Sequence, residues 1–239
     1  MNTHTWATAL GSGLATRVRW SVSRCASSVL DLLYPLTCVG CGVTGWGVWC
    51  PECDARVARL APEQRCRSLA MDAAWENSML VVASGAHYEP PLREAIHALK
   101  YDGTPDLAGP LTPLLLDAWQ SMSQTIGILV PVPLHARRLR ERGYNQSELL
   151  SRRLSARCGI PVEAGLLRRV RYTRQQAQLP GSERKHNVQG AFAAAPEAQN
   201  KHIALVDDVF TSGSTLVECA KALLSAGAAS VCALTLARA

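Results

Sequence analysis

The sequence predicts an α/β protein in which helices cover both faces of a mostly parallel sheet and a small cysteine-rich module precedes the sheet. Apolar, strand-like runs alternate with segments of helical periodicity from Met79 onward. Such alternation requires crossover connections, and these make neighbouring strands parallel. The 239 residues and 48% hydrophobic content are enough for one full core and a small appended unit.

Eight segments carry this pattern, with short apolar runs predicting strands and apolar residues three or four apart predicting helices. The predicted strands are residues 79–88, 126–133, 202–209 and 230–237. The predicted helices are residues 92–100, 111–119, 145–158 and 216–227.

Composition divides the chain into three parts. Residues 1–33 are a basic, Ser-rich leader, predicted to be flexible or an amphipathic helix; residues 34–72 hold a double zinc ribbon-like module and a polar connector; residues 73–239 form the α/β domain. The leader lacks the continuous apolar core of a secretory signal. No segment reaches the roughly 18 apolar residues that a membrane span needs. We therefore expect a cytoplasmic protein with no membrane span.

Four of the nine cysteines predict a metal site. Cys38, Cys41, Cys50 and Cys53 form two CxxC pairs eight residues apart, and such pairs present four thiolates to one tetrahedral Zn²⁺. Because four protein ligands leave no open coordination position, the zinc is expected to be structural. Chelation is then expected to loosen this module and leave the α/β core folded. Whether Cys66 has a metal or partner stays open.

The segment from Ile203 to Leu223 carries the most specific chemistry. An apolar strand ends in Asp207 and Asp208, and a Thr/Ser/Gly turn then opens directly into a helix. Backbone N–H groups at a helix N-terminus favour an anion, so a phosphate is expected on the turn, while the two carboxylates could accept hydrogen bonds from ribose hydroxyls. The predicted phosphate-binding residues are Thr211, Ser212, Gly213, Ser214 and Thr215. The alternative is a plain strand followed by a capped helix.

This segment resembles the phosphoribosylpyrophosphate signature of type I phosphoribosyltransferases, in which two acids precede a T[ST]GxT loop. Phe210 stands where that signature often has a smaller aliphatic residue. Two further stretches, VPVPLHARRLRERGYNQSELL at 130–150 and RYTRQQAQLPGSERKHNVQGAF at 171–192, narrow the resemblance to the ComF family. The cysteine pairs in front complete that family's layout, and the resemblance spans about residues 38–238.

The resemblance implies a type I phosphoribosyltransferase fold with a phosphoribosylpyrophosphate site and Mg²⁺ bound to the diphosphate. It implies that Asp207 and Asp208 are the catalytic-site carboxylates. It also implies that the 130–146 loop lies on the pyrophosphate side and contributes Arg142. Residues 171–187 would form a mobile loop over the substrate, contributing Gln176, Arg184 and Asn187. Lys100 belongs to another turn typical of the family, for which the sequence gives no role.

Three functions remain open at this level. The first is a phosphoribosyltransferase with an unidentified acceptor; the second is a nucleotide-sensing accessory protein without turnover; the third is a nucleic-acid-binding protein of DNA uptake and competence, with single-stranded DNA or DNA-uptake proteins as partners. Between His135 and Lys185 there are thirteen Lys or Arg and four Asp or Glu, which suits phosphates of either a small ligand or a nucleic acid. Aromatic content of 5% argues against an extended stacking surface for bases. The cysteine module and connector are expected to replace the hood that recognises the acceptor.

Overall fold

The structure is a computed structural model that describes residues 36–71, 75, 78–172 and 188–239. The strands are β1 (Cys66–Ala70), β2 (Met79–His87), β3 (Ile128–Pro131), β4 (Leu167–Arg169), β5 (Phe192–Ala194), β6 (His202–Phe210) and β7 (Ser230–Arg238). The helices are α1 (Pro51–Ala55), α2 (Pro62–Arg65), α3 (Leu92–Tyr101), α4 (Ala108–Gln120), α5 (Ala136–Arg142), α6 (Gln146–Cys158) and α7 (Ser214–Ser225). These bounds confirm the eight predicted strands and helices, with shifts of a few residues at their ends.

The main sheet has five strands in the order β1-β2-β7-β6-β3. The three inner pairings are parallel, as predicted, and β1 alone runs antiparallel to its neighbour β2. Strands β4 and β5 form a separate antiparallel pair. The carboxyl ends of β2, β3, β6 and β7 therefore share one edge of the sheet, which is where open α/β sheets bind ligands.

Two apolar cores cover the two faces of this sheet. One face packs against α3, α4 and α6, with Leu129, Val206 and Leu234 facing the helices. The opposite face packs against α7 and the β4–β5 pair, with Val130, Leu205 and Ala233 facing them. This arrangement confirms the predicted α/β class with helices on both faces.

Strand β1 lies in the polar segment, residues 54–72, whose pattern predicts only a connector. The strand pairs with β2 from Cys66 opposite Ala83 to Ala70 opposite Met79, and most of its residues are exposed. An edge strand has one unpaired side and tolerates polar residues, so an apolar pattern is missing there. The segment joins the sheet, and Leu69 packs against the opposite core.

The cysteine module packs directly on the α/β domain. Cys38, Trp49 and Cys53 are buried in the same apolar core as Leu92 and Ile96 of α3. Farther along, the Leu60 N–H donates to the Gly85 carbonyl and the His87 N–H to the Ala58 carbonyl, at 2.9 and 2.8 Å. The module and the domain therefore share buried apolar surface and backbone hydrogen bonds.

In the described ranges, no helix combines the length and the apolar character that crossing a membrane would require.

Candidate functional site

A cavity of about 690 Å³ opens at the carboxyl ends of the parallel strands. Its walls come from the end of α3, the segment after β3, the first turn of α6, the end of β6 and the turn into α7. None of the described residues 36–71 lines it, so the expectation that the cysteine module and connector supply the acceptor hood is not supported at this cavity. Leu69, in the connector, lies beside the turn after β6, since an added Cβ at Gly213 would be 2.4 Å from Leu69 Cδ1.

The turn after β6 begins α7 with its backbone facing the cavity. Gly213 has φ +74° and is the residue before the helix, a conformation that only glycine adopts freely. The first turn of α7 contains no acidic residue, and Gly213 supplies no side-chain cap. Four of the five predicted phosphate-loop residues, Thr211, Ser212, Gly213 and Thr215, line the cavity.

Ser214 is the exception within the predicted loop. It is 8% exposed, its hydroxyl lies 3.0 Å from the Ser212 hydroxyl, and it does not line the cavity. The Ser212 hydroxyl also accepts a long hydrogen bond of 3.5 Å from the Ser214 N–H. The pair shapes the turn, so Ser214 contributes to the loop's conformation.

Two side chains contact Asp208 directly, and a third contacts one of these two. Lys100 Nζ lies 2.7 Å from Asp208 Oδ1, and Gln146 Nε2 donates to Asp208 Oδ2 at 2.8 Å. Arg142 in turn donates to the Gln146 side-chain oxygen. Asp208 is 3% exposed, and a buried carboxylate is tolerated only when such cations and donors surround it.

Asp207 has a different environment from its neighbour. Its Oδ1 accepts hydrogen bonds from the Ser147 hydroxyl at 3.0 Å and from the Asp208 N–H at 2.9 Å. Burial and the adjacent charge of Asp208 raise the pKa of Asp207 to about 7, against the opposing charge of Lys100. Burial acts to lower the pKa of Lys100, but the carboxylates of Asp208 and Asp207 outweigh it and the pKa is raised. The two acids are thus unequal: Asp208 is paired with Lys100, and Asp207 has a raised pKa.

Three arginines bring positive charge to the cavity wall. Arg138, Arg142 and Arg169 all line it, and the guanidinium carbon of Arg142 lies 5.2 Å from the centre of the Tyr101 ring. Burial, together with the charge of Arg138, lowers the pKa of Arg169. A diphosphate is the kind of anion that such a group can neutralise.

Of the predicted site residues, Asp207, Asp208, Arg142 and four loop residues line this one cavity. Gln176, Arg184 and Asn187 lie outside the described residues. Sequence reasoning missed the roles of Lys100, Gln146 and Ser147. The signals were present, because Lys100 lies in the LKYDG turn and the other two in the GYNQS stretch, but their partners are 60 or more positions away.

The four cysteines of the predicted metal site converge. Their Sγ atoms all lie within 4.8 Å of one another, and a tetrahedral zinc–thiolate site needs sulfurs roughly 3.8 Å apart. Cys38, Cys50 and Cys53 are buried and Cys41 is exposed. Burial acts to raise the pKa of Cys38, but N–H groups of Cys50, Gly40 and Cys41 outweigh it and lower that pKa to about 7. Four converging sulfurs fit a zinc ion.

Backbone geometry supports this cluster. Gly42, directly after the first pair, has φ +77°, and its N–H donates to the Cys38 carbonyl at 2.7 Å. Cys50 is the residue before α1, and its sulfur accepts from the Cys53 N–H. One pair therefore lies on a tight turn and the other on a short helix, so that all four sulfurs point to one place.

The chain is similar in sequence to several bacterial proteins. It is 36% identical over 188 residues to the DNA utilization protein YhgH of Salmonella typhimurium strain LT2, covering 76% of this chain and 80% of that one. It is 32% identical over 200 residues to competence protein F of Haemophilus influenzae, covering 80% of this chain and 85% of that one. No protein-family model matches. A solved structure of the Bacillus subtilis glutamine phosphoribosylpyrophosphate amidotransferase aligns with a TM-score of 0.40 and 20% identity, over 57% of this chain and 30% of the amidotransferase.

Proposed function

We propose that this chain, which belongs to the ComF family, binds phosphoribosylpyrophosphate or a related ribose 5-phosphate ligand in the cavity at the end of β6 and acts in DNA uptake. One observation carries the ligand proposal: the turn from Thr211 to Thr215 opens α7 against the cavity with a left-handed Gly213 and no acidic residue in the first turn. Such a turn favours a phosphate group. The names of the similar proteins, which refer to DNA utilization and competence, support the cellular role.

Each group of the ligand has a counterpart in the cavity. The 5-phosphate would lie on the turn, the ribose hydroxyls would donate to Asp207, and the diphosphate would face Arg138 and Arg142. Asp208 is already paired with Lys100, so we assign it to orienting this network. Mg²⁺, when bound with the diphosphate, would neutralise charge there, and Asp207 is the carboxylate that fits beside it.

Catalysis by these residues would consist of positioning and charge neutralisation. Departure of diphosphate from the ribose C1 leaves an oxocarbenium-like centre, as in other glycosyl chemistry. The arginines of the cavity would neutralise the charge of the departing diphosphate. Partial enclosure would limit premature attack of water on the ribose C1. The proposal does not name the acceptor of the phosphoribosyl group. A protein that binds the ligand but transfers nothing would be a sensor.

We also propose that the four clustered cysteines bind one structural Zn²⁺. The converging sulfurs support this, and four thiolates leave no coordination position for substrate. The ion would fix the turn at Cys38 and the start of α1 against α3, and so tie the module to the domain.

Binding of single-stranded DNA is a second candidate, favoured by the surface of α5. Tyr172 is 45% exposed, and the guanidinium carbons of Arg137 and Arg138 lie 5.3 and 5.9 Å from its ring centre. The His135 ring contacts it edge-on at 5.1 Å. An exposed aromatic ring among cations can stack on a base while its neighbours contact phosphates.

The ligand proposal is tested by calorimetric titration with phosphoribosylpyrophosphate and Mg²⁺, followed by an assay for released diphosphate. Ribose 5-phosphate should compete, because both present the same phosphate to the turn, and free adenine should compete poorly. Gly213→Val should abolish binding through its positive φ and through a Cβ placed 2.4 Å from Leu69 Cδ1. A Leu69→Ala, Gly213→Ala double variant removes the conflict with Leu69 and retains the positive φ, while Phe210 Cε2 stays 3.0 Å from the added Cβ.

Wild-type affinity in both Gly213→Val and Asp207→Asn would show that the turn only begins a helix. Ligand binding with diphosphate release, and with the phosphoribosyl group recovered on an added acceptor and not as ribose 5-phosphate, would identify a transferase. Ligand binding without release in the presence of added acceptors would support a nucleotide sensor.

A further inference from the structure

A second pocket of about 360 Å³ lies beside the main cavity. The two share a boundary made by consecutive residues: His87 and Arg238 line the second pocket, whereas Tyr88 and Ala239 line the main cavity. His87 and Arg238 are register partners at the ends of β2 and β7. The second pocket therefore opens at the same edge of the sheet, under α2.

Arg238 is the unusual residue in this pocket. It is 9% exposed, and Nη1 donates to the Gln64 carbonyl at 2.9 Å. Within the described ranges this is its one side-chain hydrogen bond and it has no carboxylate partner. Burial, together with the charge of Arg67, lowers its pKa. A guanidinium has five N–H donors, so most of the donors of Arg238 remain available at a buried position.

Other arginines near this edge are compensated. Arg59 makes ion pairs with Asp54 and Asp117, both at 3.1 Å, and Arg65 lies 3.7 Å from Asp117. In the second pocket Arg67 and Arg238 have no such partner among the described residues, although the Glu63 side chain belongs to the same wall. Two neighbouring guanidinium groups in a concave site, without a paired carboxylate, form a favourable environment for an anion.

We propose that this pocket binds a phosphate group, held by Arg67 and Arg238 with the His87 ring beside them. Arg238 would supply the buried, oriented donors, and Arg67 would close the site from the exposed edge strand. The phosphate could belong to a small phosphorylated molecule or to a nucleic-acid backbone, which present the same oxygens. This site is separate from the turn at Gly213, so the inference does not depend on the ligand proposed for the main cavity.

Equilibrium dialysis with radiolabelled inorganic phosphate tests the inference by counting sites on the intact chain. If both sites exist, the wild type binds two phosphates. Arg67→Ala and Arg238→Gln should each keep only the phosphate at the turn in the main cavity. Gly213→Val should keep only the phosphate in the second pocket. The expected loss of affinity at the altered site is about tenfold or more. Arg153→Ala is the control, because Arg153 is exposed and lines neither cavity.

Unchanged phosphate binding in both Arg67→Ala and Arg238→Gln would overturn the inference. Because Arg67 is exposed, Arg67→Ala should keep the fold and remains informative if Arg238→Gln does not fold. If the wild type binds one phosphate, lost in Arg67→Ala and kept in Gly213→Val, the second pocket is a site and the proposal for the main cavity fails.

A second arm identifies the source of the phosphate, using titration with a short single-stranded oligothymidylate at several salt concentrations. For a nucleic-acid source, Arg67→Ala should reduce the slope of log affinity against log salt by about 0.7 per lost contact. An unchanged slope, together with a lost inorganic phosphate site, assigns the pocket to a small phosphorylated molecule.

Discussion

Lys100 Nζ lies 2.7 Å from Asp208 Oδ1, and this ion pair joins the end of α3 to the end of β6. Only 4% of the Asp208 side chain and 21% of the Lys100 side chain are exposed. Lys100 therefore neutralises one of the two signature acids before any ligand arrives. Burial and the charge of Asp208 raise the pKa of the other acid, Asp207, to about 7, which is why we propose an orienting role for Asp208 and a ligand-facing role for Asp207.

Lys100→Met should destabilise the fold by about 3 kcal/mol, because it leaves the Asp208 charge buried without its cation. Urea denaturation of the variant measures the change. The same reasoning means that Asp208→Asn alters stability as well as ligand affinity, since it leaves Lys100 unpaired. Lys201→Met is the matched control, because the Lys201–Glu163 pair is 29% and 41% exposed and such pairs contribute under about 1 kcal/mol. Similar losses in both variants would contradict the prediction, and Lys100→Met with Asp208→Asn should recover part of the loss.

Asp207 should make stability fall as pH rises through a defined window. Its folded pKa is about 7, whereas an unfolded aspartate titrates near about 4. Between these values the folded chain keeps a proton that the unfolded chain has released, so the free energy of unfolding decreases with pH by up to about 1.4 kcal/mol per unit. This contribution is complete below about pH 4 and lost above about pH 7.

Urea denaturation of wild type and Asp207→Asn across that window measures the effect, with the exposed Asp106→Asn as control. The difference between wild type and Asp207→Asn should depend on pH. A difference that is flat with pH would mean that the Asp207 carboxyl titrates in its ordinary range.

The isolated protein should contain close to one zinc per chain, and Cys53→Ser should lose it while Cys66→Ser retains it. Elemental analysis measures the content. Because Cys38, Trp49 and Cys53 share a core with α3, chelation should lower the melting temperature of the whole domain. This revises the expectation, drawn from the sequence, that the α/β core would be unaffected. Full zinc content in Cys53→Ser would rule out the four-cysteine site.

Gly40→Ala should weaken zinc binding without removing a ligand. An added Cβ would lie 2.8 Å from Cys53 Sγ and 3.0 Å from Pro91 Cβ, so the sulfur or the contact with α3 must shift. Competition with a chromophoric chelator measures the affinity. Gly109→Ala is the control, since an added Cβ there meets nothing within 4 Å. Equal affinities in the two variants would show that the cluster absorbs the shift freely.

Tyr172→Ala and Arg140→Ala should affect single-stranded DNA binding in different ways. Removing the ring should cost about 1–3 kcal/mol of affinity and leave the salt slope unchanged, because stacking involves no counterion release. Removing the exposed Arg140 should flatten the slope. Fluorescence anisotropy with an oligonucleotide at several salt concentrations separates the effects. Wild-type behaviour of both variants would mean that the arginines of α5 are a solvated surface.

Local sequence was sufficient wherever the structure depends on neighbours along the chain. The run from Ile203 to Thr215 predicted a strand that ends at two acids and is followed by a turn into a helix. Apolar residues favour the strand and a glycine permits the turn, and both effects act within a few residues. The two CxxC pairs predicted their own convergence for a similar reason, since fixed spacing and short turns leave the sulfurs few other places to go.

Tertiary structure alone decided what surrounds those residues. Lys100, Gln146 and Ser147 meet the two acids only because α3 and α6 pack on the same face of the sheet, at the end where β6 stops. The sequence pattern does not predict strand β1, because an exposed edge strand carries no apolar alternation. This strand nevertheless places Arg67 beside Arg238 and Leu69 beside Gly213. The sequence determined which carboxylate, guanidinium, hydroxyl and thiol groups the chain carries. Packing of distant segments decided which acid is neutralised, which guanidinium stays uncompensated and how the cysteine module joins the core, because charge and burial depend on neighbours in space.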